Sequence, residues 1–145
     1  MTAMPNHDPT LTARRLREDH SRFARTFSDL CERANSGDWH VLDEVWRAFT
    51  EDVEAHLTFE ENDLFPGFSA QNPTCRALVQ RLGGEHTEIR RNLDVLGVQI
   101  QLKEIRAATI EAFIELMRGH ADLEDRRLYP WIAHAVHAGP SPRSA

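Results

Sequence analysis

His120-Ala-Asp-Leu-Glu124-Asp-Arg-Arg-Leu128-Tyr129-Pro130 decides the fold, because the chain carries nearly the same stretch once before, as His56-Leu-Thr-Phe-Glu60-Glu-Asn-Asp-Leu64-Phe65-Pro66. Both read H-x-x-x-E-[ED]-x-x-L-[FY]-P. Residues four apart stack on one face of a helix, so each copy aims an imidazole and a carboxylate at a common point. The stretch ahead of each copy also repeats: Asp19-His20 to Leu30 aligns with Glu85-His86 to Leu96. A duplicated helical hairpin follows.

Apolar residues recur at helical spacing through four segments, and no stretch alternates with period two. The first segment starts at Thr10 as its cap, carries Leu16, His20, Phe23, Phe27 and Leu30, and stops at Asn35-Ser36-Gly37. Asp38 is expected to cap the second, whose stripe includes Leu42, Phe49, Val53, His56 and Glu60, and Pro66-Gly67 is expected to end it. Asn72-Pro73 opens the third, with Leu78, Leu82, His86, Ile89, Leu93 and Leu96. Gly83-Gly84 inside it costs helix propensity, and packing or close backbone approach is the expected reason. After a turn between Gly97 and Lys103, the fourth carries Phe113, Leu116, His120 and Glu124 to about Pro130, with Trp131 to His137 continuing beyond a kink. The expectation is an all-α, antiparallel up-down-up-down four-helix bundle over residues 11–137. A flexible lead-in (1–10) and a disordered tail (138–145) flank it.

In such a bundle, residues on neighbouring helices share a level when they are equally far from the turn that joins them. The midpoint of His20 and His56 is Asp38, that of His56 and His86 is Gln71, and that of His86 and His120 is Lys103. All three fall at or beside the expected turns. Four inward histidines therefore share one layer, with Glu60 and Glu124 a turn away. Buried carboxylates without partners are prohibitively costly, whereas a cation turns the same groups into ligands. His20, His56, Glu60, His86, His120 and Glu124 are the expected metal ligands. Imidazole and carboxylate without thiolate suit iron, manganese or zinc. Six donors exceed the needs of one tetrahedral zinc but suit two ions bridged by Glu60 and Glu124. His7, His40, His134 and His137 read as surface residues.

With 145 residues the chain suffices for one domain. A net charge of −6 with interleaved basic residues argues against nucleic acid as a partner. The polar start lacks an apolar core, no stretch suits a membrane span, and the cytoplasm is the expected location. Cys31 and Cys75 are too few for a disulfide framework.

Across residues 11 to 131 the sequence resembles the hemerythrin-like, HHE cation-binding family. The features that carry the likeness are the lone His20, His56-x-x-x-Glu60, the lone His86, and His120-x-x-x-Glu124. The resemblance implies a non-haem centre of two carboxylate-bridged irons. It also implies reversible binding of dioxygen, sensing of oxygen, nitric oxide or iron, or repair of iron centres. Oxygen-carrying members have a second histidine one turn after the third helix's histidine, where Arg90 stands, and a fourth-helix aspartate at the position of Asp125. Glu124 and Asp125 compete for that role, and the parallel with Glu60 favours Glu124. Arg90 either reaches solvent or turns inward to a carboxylate or anion. Three functions remain: a di-iron protein that binds or senses dioxygen, peroxide or nitric oxide; a di-iron enzyme acting on peroxide or nitric oxide or repairing iron centres; and a zinc-stabilised structural or buffering bundle.

Overall fold

The computed structural model describes residues 8–137, and these form four helical rods with no strand among them. The first rod is α1 (Pro9–Asn35). The second is α2 (Trp39–Phe59), which passes through a π-helical turn (Glu60–Leu64) into α3 (Phe65–Ser69). The third is α4 (Pro73–Gln101). The fourth is α5 (Ala107–Leu123), which passes through a second π turn (Glu124–Leu128) into α6 (Tyr129–His137). Residues 1–7 of the expected lead-in and all of the expected tail, 138–145, lie outside the described residues.

Local chemistry sets most of the ends. Asp8, not Thr10, caps α1: its carboxylate accepts the Thr10 N–H at 3.0 Å, and Pro9 fills a first-turn position that needs no donor. Asn72 caps α4 through the Cys75 N–H at 2.8 Å. Asp38 stands at the N-cap of α2 but makes no side-chain cap, and its carboxylate lies 3.6 Å from Arg33 instead. Gly37 takes a φ of +74° in the first turn, a conformation that costs glycine little. The third turn begins at Leu102.

The prolines do not end their rods. In an α-helix, Pro66 would clash with the carbonyl of Asn62 and Pro130 with that of Arg126. Each is preceded by a turn one residue wider, in which the Phe65 N–H reaches the Glu60 carbonyl and the Tyr129 N–H reaches the Glu124 carbonyl. The helix therefore continues past both, where the sequence pointed to an end and a kink. Gly83 and Gly84 show no close approach: a Cβ on either would meet open space.

The core is divided in two. One apolar cluster gathers Phe23, Phe27, Phe49, Val53, Ile89 and Phe113, and the other gathers Leu16, Leu64, Phe68, Leu82, Leu128 and Ile132. Along each rod the histidine falls between them, so a polar layer crosses the middle of the bundle. Among the described residues no helix is long and apolar enough to cross a membrane.

Candidate metal centre

All six residues singled out in the sequence meet in this layer. His56, Glu60, His86, His120 and Glu124 are buried, the two glutamates completely, and His20 is nearly so. Glu60 turns Oε2 toward His56 Nε2 at 3.2 Å and Oε1 toward His86 Nε2 at 3.1 Å. Glu124 turns Oε1 toward His20 Nε2 at 3.1 Å and Oε2 toward His120 Nε2 at 3.2 Å. Two four-residue clusters result, His20-His56-Glu60-Glu124 and His86-His120-Glu60-Glu124, each with its donor atoms within 4.8 Å of one another. The glutamates are common to both.

Each imidazole is backed by a carboxylate on its other nitrogen. His56 Nδ1 lies 2.9 Å from Asp19, His86 Nδ1 2.7 Å from Glu61, and His120 Nδ1 2.7 Å from Glu85. His20 Nδ1 lies 3.4 Å from Asp125, too poorly aligned for a hydrogen bond. The backing residues are chain neighbours of the clustered ones, so a ligand-type residue on one helix and the support for a histidine on the next come from the same dipeptide. Such partners fix which nitrogen faces inward and raise ligand basicity. This geometry separates Glu124 from Asp125: the first lies in the layer, the second beside His20.

A residue that the sequence reading passed over completes one cluster. The Tyr129 hydroxyl, fully buried, donates to Glu60 Oε2 at 2.6 Å and lies 3.0 Å from both Glu124 Oε1 and His20 Nε2. Its counterpart in the other copy, Phe65, packs its ring 5.2 Å from that of His86. The available signal was the Phe-to-Tyr difference between the two copies. Arg90 does not run to solvent: its guanidinium forks across Glu54 (2.9 Å) and Glu61 (2.7 Å), behind His86. His40 and His134 are exposed.

Without a cation the layer holds protons instead. Burial pushes the His56 imidazole down, but Asp19, Glu124 and Glu60 outweigh it and raise the group to about 11. His86 and His120 rise to about 9 against the same burial, through Glu124 and Glu60 together with Glu85 for His120. Burial favours a neutral Glu124, and the surrounding imidazoles overcome it, holding the carboxyl well below its usual range. Burial, then the charges on Glu60 and Glu124, push the Tyr129 hydroxyl well above its usual value. The layer thus keeps Glu124 charged and the Tyr129 phenol protonated.

The donor set fits a metal. His120 Nε2 and Glu124 Oε2 face each other at 3.2 Å, yet neither makes a hydrogen bond, although both are buried. Buried polar atoms ordinarily find partners. Two that converge without pairing are placed for a third atom. Imidazole nitrogens and carboxylate oxygens are what iron, manganese and zinc accept.

No curated protein and no solved structure matched the chain. The model of the Hemerythrin HHE cation binding domain matches residues 11–132, which take in every residue of the layer. The chain belongs to the hemerythrin HHE cation-binding domain family.

Proposed function

We propose that this protein holds two non-haem irons bridged by Glu60 and Glu124 and uses them to bind or sense a small oxidant, dioxygen, peroxide or nitric oxide. The observation that carries the reading is the split of each glutamate, one oxygen toward each histidine pair. His20 and His56 would hold one ion, and His86 and His120 the other. Each ion would receive two nitrogens and two carboxylate oxygens, which leaves positions free on a metal that prefers six ligands. When bound, the irons supply the electrons and open positions that a small oxidant needs.

The chain's own residues do the rest. Asp19, Glu61 and Glu85 orient the imidazoles, and the apolar cluster of Leu16, Leu64, Phe68, Leu82, Leu128 and Ile132 closes one side of the layer. Tyr129 keeps a proton 2.6 Å from Glu60 Oε2. Cys31 and Cys75 are free thiols, in keeping with a reducing, cytoplasmic setting.

Two other readings have a specific feature in their favour. Four donors per ion also satisfy tetrahedral zinc, the structural or buffering alternative. The Tyr129 hydroxyl, 3.0 Å from His20 Nε2 and 2.6 Å from Glu60 Oε2, places a hydrogen-bond donor beside one ion, the feature that favours turnover of peroxide or nitric oxide. The test is optical: ferrous-loaded protein is exposed separately to air, peroxide and nitric oxide under otherwise anaerobic conditions. A visible absorption change with at least one of them is expected, and none in the zinc-loaded control. An iron-loaded protein that stays spectrally silent to all three would remove the oxidant reading.

A further inference from the structure

The two halves of the bundle close differently. Where α2 faces α4, Arg90 clamps Glu54 and Glu61 across the seam, and Leu57 is buried beneath. The duplication makes α5 facing α1 the equivalent seam. There Ala24, four residues after His20, stands where Arg90 follows His86. Ala121, after His120, stands where Leu57 follows His56, and Arg118 takes the place of Glu54. Bulk and clamp are lost together. At this level α1 and α5 splay, and a cavity of about 700 Å³ opens between them.

Its walls belong to the core. Phe23, Phe27, Phe49, Val53 and Phe113 line its floor, none more than 8% exposed, while Ala24 and Arg118 at its rim are exposed, so it is a half-open cleft that reaches into the core. Its inner end reaches His20, His56 and His120. A diatomic or peroxide does not account for this volume. At about 30 Å³ for a water-sized group, the space holds on the order of twenty such groups, within the range of pockets for organic ligands.

The lining also specifies charge. Asp122 and Asp125 at the mouth are held by Arg126 (2.8 Å) and Arg17 (3.8 Å). Arg118, exposed beside them, has no carboxylate within ion-pair distance among the described residues. We propose that the α1–α5 seam binds a small amphiphile, an alkanoate or arylalkanoate, with its apolar body between Phe27, Phe113 and Met117 and its anionic group at Arg118. This site goes beyond the metal reading and does not depend on it.

The test uses 8-anilino-1-naphthalenesulfonate as a fluorescent probe, on metal-free and iron-loaded protein alike, displaced by straight-chain alkanoates and by alkanols of equal length. One probe per chain is expected in both forms, with displacement strengthening as the chain lengthens and alkanoates at least tenfold better than alkanols. Arg118→Gln should erase that preference and leave the alkanol series unchanged. The variant Ala24→Arg with Arg118→Glu and Ala121→Leu copies the closed seam onto the open one, and should weaken the probe at least tenfold at unchanged helical circular dichroism. Ala121→Leu alone, the milder change, should weaken it several-fold. Retained probe affinity in whichever of these variants folds would overturn the proposal. So would no probe binding by the parent protein, or a dimer in sedimentation that Ala121→Leu dissociates, since a second copy would then fill the seam. A failure of iron loading would leave the probe result standing.

Discussion

The Tyr129 hydroxyl sits 2.6 Å from Glu60 Oε2, and in this contact the two copies of the duplicated hairpin stop being equivalent. Tyr129 comes from the second copy and Glu60 from the first. The bond therefore ties the two halves together through the polar layer, on the side of His20 and His56 only.

Replacing Tyr129 by Phe puts the first copy's residue at this position, and the ring keeps its place. A buried hydrogen bond to a charged group contributes about 2 kcal/mol. The metal-free Tyr129→Phe protein is expected to lose about that much stability in thermal or urea unfolding, with its helical content unchanged. An equally stable variant would mean that the hydroxyl is not engaged with Glu60 in solution.

Arg90 supports one half of the layer through Glu61, which in turn backs His86. Loss of such an outer partner costs about 10- to 100-fold in metal affinity. Arg90→Gln is expected to loosen one of two bound ions by about tenfold while the other is held as before, read by competition with a chromophoric chelator. Equal loosening of both would place Arg90's effect elsewhere.

The raised imidazoles set a pH dependence. A group whose pKa is higher folded than unfolded contributes stability fully below its unfolded value, near 6.5, and loses it as pH rises through the folded one. For His86 and His120 the loss runs up through about 9, and for His56 through about 11. The melting temperature of the metal-free protein is therefore expected to fall from pH 7 to pH 10. The metal-loaded protein, in which the imidazoles would be neutral ligands, should change much less. At pH 7, metal uptake should release about three protons per chain, measured calorimetrically in buffers of unlike ionisation enthalpy. Uptake without proton release would contradict the charged layer.

Gly83 and Gly84 cost helix stability without a packing return, since a Cβ at either meets open space. Gly83→Ala and Gly84→Ala are each expected to stabilise the protein by about 1 kcal/mol in urea unfolding. A loss of stability in either would show that the glycine serves a close approach after all.

The layer was legible because helix periodicity and turn positions are properties of the sequence: the midpoints of His20, His56, His86 and His120 find the turns without coordinates. The supports were not. Asp19, Glu61 and Glu85 each adjoin a layer residue, and an acid at such a position reads as a solvated face until the neighbouring helix is placed. The π turns escaped because a proline such as Pro66 ordinarily stops a helix, and nothing local announces a turn widened by one residue. Arg90 was conspicuous as the residue in place of a histidine. Its role became clear only with the Glu54 and Glu61 carboxylates in position across the seam.

The central claim is a bridged pair of metal ions, and metal stoichiometry tests it most directly. After anaerobic loading with ferrous iron and removal of excess, elemental analysis should give two irons per chain for the parent protein and for the surface control His134→Ala. It should give fewer than one for Glu60→Ala, which removes a carboxylate common to both clusters. Two irons retained by Glu60→Ala, or none bound by the parent, would contradict the account.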